Sequence, residues 1–120
     1  MLWKNEFQKD ITAKMAQAKE EYSLFVKTQH IIYLQQAGNK LFSAIENFLM
    51  IKHNKKVRSY NQLQMLLKNN ESDYKLLRNA VQLHYFFYNC EAQMNRLDAE
   101  SLFVEVLDMF ENQYSPEITI

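Results

Sequence analysis

Of the three histidines in the chain, His30, His53 and His84, only His84 falls in a pattern that suggests chemistry. A di-metal centre built between helices takes Glu-x-x-His pairs, and the sequence contains none. The histidines also lack the close His, Cys or carboxylate spacing of zinc sites, so no metal is expected. One glycine cannot build a phosphate-cradling loop, and no serine has a nucleophile motif around it. No cofactor is expected. What remains is Arg78, Asn79 and His84, in the stretch RNAVQLHYFFYNCE. A histidine can move a proton near neutral pH and an arginine offers a planar fork to an anion. The question is whether this is an active site or a core helix that carries one histidine.

The elements that must position these residues are helices. Glycine and proline occur once each in 120 residues, so the turn chemistry of a many-stranded fold is missing. Trp3, Phe7, Ile11, Met15, Ala18, Tyr22 and Phe25 recur every three or four positions, which predicts a long first helix from Leu2. The pattern blurs over Lys27–His30. It then restarts with Ile31, Leu34, Ala37, Leu41, Ala44, Ile45, Phe48 and Leu49, a second helix to about Ile51. Gly38, inside it, reads as a point of close helix approach.

Lys52–Arg58, KHNKKVR, holds four positive charges and no acid, and reads as a solvated connection. Ser59 followed by Gln62 fits a capping box that opens a short helix with Leu63, Leu66 and Leu67 inward. NNESD ends it. From Asp73 a fourth helix carries Leu77, Ala80, Val81, His84, Phe87, Tyr88, Glu91 and Met94 along one side. Asp98 is the expected N-cap of a last helix with Leu102, Phe103, Val106, Leu107 and Phe110, ending before Pro116. The expected fold is all-α: an antiparallel up-and-down four-helix bundle with one additional short helix, a single domain over 1–120 with 115–120 as a flexible tail.

Net charge is zero, so the broad positive field of a dedicated duplex-binding protein is missing. The N-terminus has no signal-peptide core and no stretch is long enough to span a bilayer. A lone Cys90, read as a buried thiol, adds the default of a reducing compartment. A cytoplasmic location without a membrane partner is expected.

At this point the sequence resembles the HEPN superfamily. Members carry Arg, often followed by Asn, Asp or His, then His after four to six residues; Arg78-Asn79 and His84 fit with five. The stretches AGNKLFSAIENFLMIKHNKKVRSYNQL and LHYFFYNCE are similar to segments of small archaeal and bacterial HEPN proteins, so the likeness covers about Ala37 to Glu91. The resemblance implies a helical-bundle homodimer that binds RNA or nucleotides. In active members it implies a metal-independent endoribonuclease of a toxin-antitoxin or defence type, with Arg78, Asn79 and His84 catalytic. Asn79 would orient the substrate or the His, and Lys52, Lys55, Lys56 and Arg58 would hold flanking phosphates.

Some members instead partner a minimal nucleotidyltransferase. In the toxin group a Tyr stands two places after the His, where this chain has Phe86. The second expectation is therefore a non-catalytic interaction module or substrate-binding partner of such an enzyme. His84 would then be a satisfied core histidine sharing a face with Leu77, Val81 and Tyr88. Six helical steps place His84 about 120° around from Arg78, so a working site needs a partner copy or a break in the helix. Tyr85, Phe86, Phe87 and Tyr88 are expected at that dimer interface.

Overall fold

The structure, a computed structural model, describes residues 2–88 and 95–114, with the backbone alone for 86–88. Its regular structure among these residues is all helical: α1 (Leu2–Thr28), α2 (Ile31–Lys52), α3 (Tyr60–Leu67), α4 (Glu71–Tyr88) and α5 (Arg96–Gln113). The expectations for Cys90, Glu91, Met94, Pro116 and the tail at 115–120 lie outside the described residues. No helix among those described is long and apolar enough to cross a membrane.

The stripes read from the sequence form one core. Ile11, Met15, Ala18 and Phe25 of α1 meet Leu34, Leu41, Ile45 and Leu49 of α2, Leu77 and Ala80 of α4, and Phe103, Val106 and Phe110 of α5. Each fully buried Leu or Phe contributes about 1.5–3 kcal/mol relative to exposure. Gly38 is also buried, inside α2.

Side-chain pairs give the helix directions. Asp10 accepts from Asn47 at 2.7 Å, Lys14 donates to Ser43 at 2.6 Å, and Glu21 pairs with Lys40, so α1 and α2 run in opposite senses. Gln8 donates to the Tyr114 hydroxyl at 2.6 Å while Tyr22 stacks on Phe103 at 4.9 Å, which sets α5 opposite to α1. Asn39 meets His84 and His53 meets Asp73, so α4 runs opposite to α2.

With its one glycine inside α2, the chain turns without any other. Gln29 takes the left-handed conformation (φ 61°) between α1 and α2, and its carbonyl accepts from the Arg96 guanidinium. Asn54 (φ 55°) does the same after α2, a position that asparagine tolerates well.

Two helix starts differ from expectation. Asn95, not Asp98, caps α5: its Oδ1 accepts from the Asp98 amide at 2.9 Å, which makes Asp98 a first-turn acid. The helix therefore starts three residues early, at Arg96. Likewise α4 begins at Glu71, because Asn70 Oδ1 accepts from the Asp73 amide at 3.1 Å. At α3 the cap is as read: Ser59 Oγ accepts from the Gln62 amide at 3.2 Å. Gln62 reaches back one residue beyond the cap, to the Arg58 amide at 2.8 Å.

Candidate active site

Asn39 and Phe42 lie one turn apart on α2 and both meet His84 of α4. Asn39 Oδ1 is 3.1 Å from His84 Nδ1, and the Phe42 ring stacks on the imidazole at 5.0 Å and 30°. A carbonyl oxygen only accepts, so this contact favours the tautomer with the hydrogen on Nδ1. Burial holds the imidazole below its ordinary value of 6.5, so it is neutral at pH 7 and fit to take a proton. The side chain is half-buried rather than sealed in the core.

Arg78 is exposed on the neighbouring face of α4, its guanidinium 5.8 Å from the Tyr74 ring one turn earlier. Gln64 of α3 donates to the Tyr74 hydroxyl at 2.9 Å. That bond, with Arg78 behind it, holds the Tyr74 phenol below its usual range. Tyr60 opens α3 in the space between. Its phenol is pushed up chiefly by burial, then by Tyr85, while Arg78 pulls it down. Its ring lies 6.4 Å from Phe42. Phe42 thus touches both rings, Tyr60 on one side and His84 on the other, while Arg78 acts on Tyr60 through its charge.

They do not meet. The helix is continuous from Glu71 to Tyr88, so six residues separate the pair by about 120° and about 9 Å of rise. Among the described residues no hydrogen bond or ion pair joins them. Asn79 lies towards α5, where its Nδ2 is 3.7 Å from Met109 Sδ, a weak bond. The amide that holds the imidazole is Asn39, and nothing in the spacing of α4 pointed to a residue 45 positions away.

The basic connection divides in two. Lys52 Nζ donates to Asp73 Oδ1 at 2.9 Å and to Gln113 Oε1 at 3.3 Å. His53 Nε2 lies 2.7 Å from Asp73 Oδ2, and the Asp73 side chain is fully buried. Lys52 and His53 therefore form a joint that ties α2 to α4 and α5. Lys55, Lys56 and Arg58 instead line a surface groove of about 810 Å³ with Val57, Asn61, Gln62, Met65 and Leu66.

Glu46 was not singled out by the sequence. It lies one turn beyond Phe42 on α2, and burial pushes its carboxyl up to about 7, with Lys14 pulling it back. Only the packing of the helices around it produces that value. Comparison with family models, with curated proteins and with solved structures finds no match for the chain.

Proposed function

We propose that the chain is an HEPN-like helical-bundle protein that binds RNA and cleaves it as a metal-independent endoribonuclease. In this reading α1, α2, α4 and α5 form an antiparallel up-and-down bundle, and the protein works as a homodimer. The observation that carries the reading is a neutral, half-buried His84 held at Nδ1 by Asn39, six residues along an unbroken helix from an exposed Arg78.

An unbroken α4 leaves one route to a complete site, in which His84 works with the partner subunit's Arg78 across a two-fold axis. His84 takes the proton of a ribose 2′-hydroxyl as that oxygen attacks the adjacent phosphorus. Arg78 binds the non-bridging oxygens as charge builds on them. The bond from phosphorus to the 5′-oxygen breaks, and the imidazolium returns the proton to that oxygen. The products are a 2′,3′-cyclic phosphate and a 5′-hydroxyl.

The test is cleavage of an end-labelled RNA in the presence of a chelator, wild type against His84→Ala, with helicity checked for both. Chelator-resistant cleavage that the variant lacks supports the reading, and equal cleavage by the two excludes His84 as the catalytic base.

A further inference from the structure

The groove beside α3 combines two chemistries that a phosphate track does not need together. Lys55, Lys56 and Arg58 line it, and among the described residues no acidic one does. Among the described residues none of these three cations is ion-paired. Its remaining lining includes Val57, Leu66 and Met65, and Met65 is 66 % exposed on a helix whose other apolar residues are turned inward or half-covered. Asn61 and Met65 stand one turn apart on α3, as do Gln62 and Leu66, so the helix presents amides and an apolar strip side by side.

We propose that this groove docks a short acidic segment of a partner protein, with an apolar side chain seated on Met65 and Leu66 and carboxylates on Lys55, Lys56 and Arg58. Charge complementarity selects the sign of the partner, since three cations that no described carboxylate neutralises, one of them (Lys56) resting 5.6 Å from the Phe7 ring, repel a basic segment and steer an acidic one. The apolar strip selects a peptide over a nucleic acid. A sugar-phosphate backbone gains nothing from methionine and leucine, and stacking of bases needs aromatic rings, of which the described lining has none. An adaptable thioether suits an aliphatic or aromatic anchor. The inference stands apart from the ribonuclease reading, because the groove shares none of its lining residues with Asn39, Arg78 or His84.

The experiment is selection of displayed random 12-residue peptides on the full chain, counter-selected on Lys55→Glu/Arg58→Glu. Enriched peptides are then synthesised, and their affinities measured against wild type, Lys55→Glu/Arg58→Glu and Met65→Ser. All three positions are exposed, and unchanged helicity and melting temperature verify the variants. The expected result is enrichment of peptides that pair two or more Asp or Glu with a Leu, Met or Phe. Their affinity should fall at least tenfold in the double charge reversal and severalfold in Met65→Ser. No enrichment, or acidic peptides indifferent to Met65→Ser, would overturn the proposal. So would a single-stranded RNA oligonucleotide that binds more tightly than any selected peptide, is lost with the charge reversal and ignores Met65→Ser. That last outcome would make the groove a phosphate track and leave the ribonuclease reading standing.

Discussion

Asn39 Oδ1 lies 3.1 Å from His84 Nδ1, so a side chain of α2 favours the hydrogen on that nitrogen of the α4 imidazole. Replacing Asn39 with Leu removes the acceptor. The imidazole is then expected to move from mainly Nδ1–H towards Nε2–H, read from the two nitrogen shifts in a long-range 1H–15N spectrum. An unchanged pattern would mean that Asn39 does not set the tautomer.

Glu46 gives the fold a dependence on pH. Its folded value of about 7 lies above the ordinary 4.5, so the folded chain holds a proton that the unfolded chain releases. The associated stability is fully present below pH 4.5 and is lost as pH rises through about 7. Glu46→Gln should therefore be more stable than wild type by about 1 kcal/mol at pH 8, after allowance for solvent screening, with no gain at pH 4. Urea unfolding at the two pH values measures this. His84 acts in the opposite sense, because it is held below 6.5 and stability falls as pH drops below that value.

Asp73 is the buried member of a three-way joint with Lys52 and His53. Asp73→Ala leaves the Lys52 ammonium and the His53 ring without their shared carboxylate, and should cost about 2–3 kcal/mol in chemical unfolding. Lys52→Met keeps the stem and leaves the His53 bond, and should cost less than half as much. Equal losses would place the energy in Lys52 rather than in the buried carboxylate.

The start of α5 separates two candidate caps. Asn95→Ala should lower stability by about 1 kcal/mol, the usual cost of a lost N-cap. Asp98→Ala should cost only a few tenths, as expected for an acid in the first turn. Thermal melts of the two variants read the difference directly.

These cases mark what the sequence could carry. Spacing of three and four placed the stripes of α1, α2 and α5, because a helix must hide one face and only the chain itself sets that period. Ser59 and Gln62 were legible for the same reason, being local. Asn95 was missed because Asp98 is an equally good cap by type, and the choice depends on where the helix is packed. Asn39 with His84, and Lys52 and His53 with Asp73, pair residues on different helices, and no local rule reports such pairs. Arg78 and His84 were legible as a motif, but their divergence around one helix was evident only from the 3.6-residue turn. The continuity of α4 came from the structure.

The measurement that bears most directly on the central claim is complementation between two single variants. Arg78→Ala and His84→Ala are each assayed for chelator-resistant RNA cleavage, then mixed, unfolded and refolded together. If His84 of one copy works with the partner subunit's Arg78, each variant alone is inactive. Mixed dimers then regain one intact site, giving about a quarter of wild-type activity for random pairing. No cleavage by the wild type, or a mixture as inactive as its components, would contradict a ribonuclease site shared between two copies of α4.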